Sequence, residues 1–483
     1  MQRVRRAILA GFVLLYLVLC PFTILYSLGY VLKPGFEHGI VKTGLISLAT
    51  TPANASIYIG NRRYTKRTPA ILRDLLPGQY QIKLLLKGYR PWVATLSVAE
   101  ERATVLEHIL LLPEQWKPTL LLGGPFENLL AVPESPYLLL MKGSQLGHAD
   151  LYHMKAEKSW SLLAGASPLQ EANVLSVATA REAPILLLYV GSKEGEQWVW
   201  VEPRGRENHL ERLGGFSAKV QWEASDKDRL FTLQDGTLDR VDLGAKTLVT
   251  SVLDHVQGYG VFRRSLYVVK GNTFQRCDLD GKNPETLLDD PALGRTLFGG
   301  KGSFRIHVLA KDMVLFLGER GELLCNRLPY RLVDQGVLGL AYDVQQERVL
   351  LWRNDRLGVL EFPRSASSER VFELGPKLRW VYEQGKNISQ AFWVSEGSHI
   401  LFHDQDRLML LEAGSIESPQ VSEIMQVKKN SAVAYMEDAG KAYYLDPTSG
   451  ALNSIEMIPR HELLPLSFPN RVEERQRRGV AAP

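Results

Sequence analysis

Residues 266–279 read LYVVKGNTFQRCDL. An apolar run at 266–269 meets Gly271-Asn272, a pair suited to the positive φ of a tight turn, and a second run follows at 274–279. That is the pattern of a β-hairpin. Seven further stretches repeat it: 138–141 with 151–152, 185–190 with 198–201, 230–233 with 238–243, 314–317 with 323–328, 349–352 with 357–362, 400–402 with 408–411, and 432–436 with 442–445. Each pair is joined by a polar turn rich in Gly, Asp or Asn.

The eight hairpins recur at intervals of about 42 residues, and no helical period interrupts them. A four-stranded antiparallel blade needs about that length, and a lone blade cannot bury both of its faces. Closing the blades into a ring removes the exposed edges. Residues 116–459 are therefore expected to form a β-propeller of seven or eight blades, with eight favoured by the hairpin count. No Trp-Asp or Gly-His pair recurs at a fixed place, so the repeats lack the WD40 signature. In general character the region resembles envelope propellers of the TolB-like kind. Residues 445–450, LDPTSG, resemble the Asp-x-x-Thr-Gly turn of quinoprotein-like propellers, and 243–247, LGAKT, are a weak echo. One clear copy implies a shared turn, so no cofactor is expected.

In front of this region lies a run of 26 uncharged residues at 7–32, preceded by Arg3, Arg5 and Arg6 and by no acid. As a helix it would extend about 39 Å, more than the hydrocarbon core needs. The expectation is a single transmembrane helix over 7–32. Residues 1–6 would be cytoplasmic and the rest of the chain extracytoplasmic. A cleaved signal peptide fits less well, since the run is long and no small-residue site follows it. Cys20 sits between Leu19 and Pro21, which does not match a lipid-attachment site.

Between the run and the propeller, after a linker at 33–43, residues 44–113 read as short strands broken by turns. Thr51-Pro52-Ala53-Asn54-Ala55 comes first, then Ile57-Tyr58-Ile59-Gly60-Asn61, Thr68-Pro69, Leu75-Leu76-Pro77-Gly78 and Lys87-Gly88-Tyr89. This ordered set resembles the PEGA domain family, named for its Pro-Glu-Gly-Ala turn. Here that turn is Pro52-Ala53-Asn54-Ala55, which keeps the Pro and the last Ala. The resemblance implies a small β-sandwich that mediates binding. The overall fold class expected is thus mainly β: an N-terminal helix, a PEGA-like sandwich and a propeller, with a disordered tail at 460–483.

Arg62, Arg63, Lys66 and Arg67, with Arg73 nearby, crowd one hairpin of the small module. Such a hairpin can be plain solvated surface, or it can contact anionic lipid headgroups or an acidic wall polymer. These four are the candidate contact residues.

No catalytic or metal residues are expected. The chain has no G-x-S-x-G, H-E-x-x-H, P-loop or strand-linked G-x-G-x-x-G motif. His148, Asp150 and His153, and His399, His403, Asp404 and Asp406, could tempt a metal assignment, but they read as exposed turn and strand residues. Asp226, Asp228, Asp290 and Asp343 are the acids that a propeller glycosidase or lyase would need near its channel. Cys20, Cys277 and Cys325 form no scaffold, and a Cys277–Cys325 bond is the one pairing left open. A net charge of +4 over 483 residues does not point to nucleic acid. The function expected is binding or scaffolding in a prokaryotic envelope, anchored in the cytoplasmic membrane, with a protein or polysaccharide partner.

Overall fold

The computed structural model describes residues 2–27, 30–32, 40–132, 135–163, 169–179, 184–204, 206, 208–213, 221–224, 229–242, 247–289, 304–310, 313–326, 332–343, 346–362, 376–413 and 420–458. The chain divides into two compact units after Trp116.

The first unit opens with helix α1 (Gln2–Ser27), which carries Pro21. Phe12 to Leu17 are all exposed, so apolar side chains stand bare on every side of it. Among the described residues no helix is long and apolar enough to cross a membrane. The expected span at 7–32 is also shifted. Arg3, Arg5 and Arg6 are good helix formers and extend the helix toward the N-terminus. At the other end Tyr30, Val31 and Leu32 form strand β1 (Tyr30–Leu32), which pairs antiparallel with β2 (Ile40–Lys42). Of the expected linker at 33–43, residues 40–42 form strand β2, and 33–39 lie outside the described residues. Strand β2 turns back on β1, and Lys42 forms a 2.5 Å ion pair with Glu101 of the module.

The module has strands β3 (Gly44–Thr51), β4 (Ser56–Ile59), β5 (Arg62–Arg67), β6 (Ala70–Leu75), β7 (Gly78–Leu85), β8 (Trp92–Val98) and β9 (Ala103–Leu110), and no helix. They form two sheets, ordered β6-β3-β9 and β5-β4-β7-β8. Burial alternates strictly along β3, as a strand with one face on a core requires. Ile46, Leu48, Ile57, Leu72, Ile82, Leu84 and Trp92 fill the space between the sheets. Two threonines secure the Pro52–Ala55 turn. Thr50 Oγ1 donates to the Pro52 carbonyl (2.7 Å) and lies 2.6 Å from Thr68 Oγ1, which accepts the Ala55 N–H at 2.9 Å. Thr68, just ahead of Pro69, is buried because it holds that turn together.

In the second unit the described strands fall into eight antiparallel groups of four: blades 1 to 8. Blade 1 spans 128–161, blade 2 173–213, blade 3 221–253, blade 4 258–289, blade 5 304–334, blade 6 339–382 and blade 7 388–426. Blade 8 takes three strands from 434–456 and its outermost from Thr119–Leu122, which pairs with Leu452–Glu456. The first strand thus closes on the last, which is how a propeller-like ring locks.

Alternate residues of each blade pack against opposite neighbours. In blade 1, Leu139 and Met141 join the blade 2 core, while Leu138 and Leu140 join blade 8. In blade 4, Leu266 and Val268 face blade 3, and Tyr267 and Val269 face blade 5. In blade 6, Val349 and Leu351 face blade 5, and Leu350 faces blade 7. Unbroken apolar runs are what strands buried on both faces require. Blades 4 and 5 approach so closely that their first strands pair in parallel, Gly258 with Phe304 and Tyr259 with Arg305. A Cβ at Gly260 would lie 2.5 Å from the Ile306 carbonyl oxygen, so this joint requires glycine.

The eighth hairpin read from sequence is out of phase. Residues 434–445 supply the first and second strands of blade 8, whereas the other seven hairpins are second and third strands. Closure by Thr119–Leu122 supplies the missing fourth strand of blade 8, so its own chain needs only three.

Candidate functional site

Strand β5 is the free edge of the sheet β5-β4-β7-β8, and Arg62, Arg63, Lys66 and Arg67 on it are all exposed. Tyr64 is half-buried on the module core, which sets the pleat. Arg62 and Lys66 share its face at the rim of the sandwich, and Arg63 and Arg67 point the other way. Register slips between Ser56 and Tyr58, a bulge that twists the edge. Arg63 reaches Ser56 Oγ at 3.5 Å. Among the described residues none of the four forms an ion pair. Bulge and cations together keep this edge from pairing with another strand. They also leave four exposed cationic side chains along it.

Thr68 and Pro69 join β5 directly to β6, the edge strand of the other sheet, where Arg73 is exposed and Ile71 is 44% exposed. The two edges therefore follow one another along the chain, β5 leading into β6. Sequence reading noted Arg73 but missed Ile71, because an isolated Ile in a strand looks like core.

Of the two histidine clusters, His148 is exposed as expected, whereas His399, His403 and Asp404 are not. His403 and Asp404 are 2% and 1% exposed, and His399 is buried. Asp404 ends the strand His399–Asp404, and its carboxylate accepts the backbone N–H of Lys386 and of Asn387, the latter at 2.7 Å. It is drawn inside by those donors. His403 Nδ1 lies 3.0 Å from Ser389 Oγ, while Nε2 is buried without a hydrogen-bond partner among the described residues. Burial pushes the imidazole below its ordinary value of 6.5, and the charges of Asp404 and Asp406 act against that shift.

At the other cluster, His148 lies in a 3-10 turn (Leu146–His148) rather than on a strand face. Asp150 pairs with Lys142 at 3.0 Å, and His153 Nδ1 accepts the Ala156 N–H. Among the described residues no group of His, Cys, Asp and Glu is arranged to hold a metal.

Asp343 is not a free channel acid. It pairs with Arg348 at 3.1 Å, both side chains are buried, and Arg348 also donates to the Gly397 carbonyl. Its guanidinium stands 4.2 Å over the Trp393 ring. Asp226, Asp228 and Asp290 lie outside the described residues. In the LDPTSG turn, the Asp446 carboxylate accepts Thr448 N–H, Ser449 N–H and Ser449 Oγ–H, which hold its pKa below the usual carboxylate range. It is a turn that satisfies itself. Cys277 and Cys325 are not joined by a disulfide and are buried in separate cores, one shared by blades 3 and 4, the other by blades 5 and 6. Burial pushes the Cys277 thiol up to about 11, which keeps it unreactive.

Residues 43–110 match the family model of the PEGA domain. No curated protein matches the chain. Among solved structures, it is similar to the β-propeller domain of Myceliophteria thermophila Cps50 (Swd1), at 13% identity over 69% of this chain and 99% of that one, with a TM-score of 0.39. Kluyveromyces lactis Hsv2 is similar at 10% identity over 62% of this chain and 99% of its own, with a TM-score of 0.38. The N-terminal domain of Nup159 is similar at 11% identity over 71% and 95%, with a TM-score of 0.34. What makes the second unit propeller-like is its own strand order and closure rather than these likenesses. The chain thus carries a module similar to the PEGA domain ahead of a propeller-like ring whose described strands make eight blades.

Proposed function

We propose that this chain is a binding or scaffolding protein of a prokaryotic cell envelope. Helix α1 anchors it in the cytoplasmic membrane with the N-terminus inside. The PEGA domain and the ring stand on the extracytoplasmic side, and the ring presents a face to a protein or envelope polymer. The observation that supports the anchor is α1 itself: apolar side chains exposed on every side, no acid, and arginines only at its start. An apolar surface of that kind needs a cover, and lipid is the cover that surrounds a helix evenly. Binding rather than catalysis is supported by the way the tempting polar residues are occupied. Asp343 neutralises Arg348, Asp404 caps a backbone turn, and Asp446 closes its own loop.

The test is alkaline phosphatase fused to the end of the full chain. Activity in a membrane fraction is expected. An inactive fusion at normal expression overturns the orientation, and a chain recovered in the soluble fraction overturns the anchor.

A further inference from the structure

We propose that the joined edges of β5 and β6 are a docking surface for a bilayer carrying anionic headgroups, with Arg62, Arg63, Lys66, Arg67 and Arg73 as its cations and Ile71 as an apolar contact among them. This rests on the anchored reading above.

Charge complementarity comes first. Between residues 62 and 74 the chain carries five cations and one acid, Asp74, and all six are exposed. Among the described residues none of the five cations is held in an ion pair. Cations on an edge strand gain attraction from anionic headgroups that fades beyond about 8 Å at physiological salt. Ile71 lies two positions before Arg73 on the same face of β6, so an apolar side chain enters the contact beside a charge. A soluble acidic polymer would use the cations but would leave Ile71 idle.

The tether supports the same partner. Because β1 and β2 pair, with Tyr30 opposite Lys42, the chain returns to where it left the helix. The start of β3 at Gly44 then lies within about 20 Å of Ser27. A fully extended segment of the same length would reach far beyond that. The module is thus held close to whatever surrounds α1. An incoming strand is the wrong partner for this edge, because the bulge at Ser56–Tyr58 and the four basic side chains spoil its ladder.

The experiment is hydrogen exchange on the full chain, reconstituted in nanodiscs of neutral lipid and in discs containing phosphatidylglycerol. Amides of 62–67 and 70–74 should exchange severalfold more slowly in the anionic discs, and high salt should abolish the difference. Changing Arg62, Arg63, Lys66 and Arg67 together to Ser should remove it, while exchange in β3 and β9 stays as before and shows the module folded. If that variant does not fold, the salt titration of the unaltered chain decides alone. Equal exchange in both discs overturns the docking and leaves the anchor standing. Protection by soluble polyphosphate but not by anionic discs overturns it in favour of a polymer. A chain that co-migrates with neither disc overturns the anchor, and the docking with it.

Discussion

Replacing Arg348 by Met should destabilise the ring by several kilocalories. Arg348 is 9% exposed and its partner Asp343 8%. Burial lowers the guanidinium pKa, with Asp343 acting against that shift, so the charge is costly to hold there and is held by its neighbours. Those neighbours are the Asp343 carboxylate, the Gly397 carbonyl and the Trp393 ring. Asp343 and Arg348 flank the first turn of blade 6, and Gly397 lies in the first turn of blade 7. A Cβ at Gly397, where φ is +77°, would lie 2.3 Å from Asp343 Oδ2, so the joint admits only glycine. Met fills similar volume but leaves Asp343 buried without a counter-charge, which costs about 3–5 kcal/mol. Unfolding entropy of ~2.1 cal/mol/K per residue over a ring spanning 119–456 converts that to a Tm drop of about 4–7 °C. Calorimetry on the detergent-solubilised chain reads it. Removing both charges, in Arg348→Met with Asp343→Leu, should recover most of the loss, because no uncompensated charge then remains. A single variant within about 1 °C of the parent would refute this account of the joint. So would a double variant no better than the single.

Gly260→Ala should also loosen the ring, by about 1–3 kcal/mol, since its Cβ would meet the Ile306 carbonyl, a backbone atom that cannot step aside. Gly191→Ala is the control, because its Cβ would meet only the tip of Leu175 at 3.4 Å; equal melting points for the two would contradict the close approach of blades 4 and 5. His403 sets a pH dependence. Its folded pKa lies below 6.5, so the unfolded chain takes up the proton first; the contribution is fully present above about pH 6.5 and declines as pH falls below it. His403→Gln should therefore lessen the loss of Tm between neutral pH and the mid-fives, and an unchanged slope would show that His403 does not carry it.

Much of the architecture is local chemistry and was legible in the residues. Two-sided burial demands unbroken apolar runs, and Leu138–Leu140, Leu266–Val269 and Val349–Leu351 are such runs. Each ends in a turn that residue type alone marks, so the middle hairpins of seven blades could be read directly. The module's turns are equally local. Pro52, Pro69 and Gly60-Asn61 carry their own conformational preference, and the exposure of Arg62, Arg63, Lys66 and Arg67 follows from their charge.

Other features exist only because distant segments meet. The outermost strand of blade 8, Thr119–Leu122, finds its partner Leu452–Glu456 across almost the whole ring, and nothing near either stretch announces the pairing. Outer strands such as Lys158–Ser161 are polar and short, and become strands only when a neighbour offers hydrogen bonds. His403 and Asp404 read as an exposed turn because His-Asp-Gln-Asp is polar. They are buried because the N–H groups of Lys386 and Asn387, some eighteen residues away, converge on the Asp404 carboxylate. The end of α1 at Ser27 was likewise out of reach, since Tyr30–Leu32 leave the apolar run only because Ile40–Lys42 return to pair with them. Side-chain chemistry fixes what a segment can bury, while the choice among buriable partners belongs to the closed ring and the folded module.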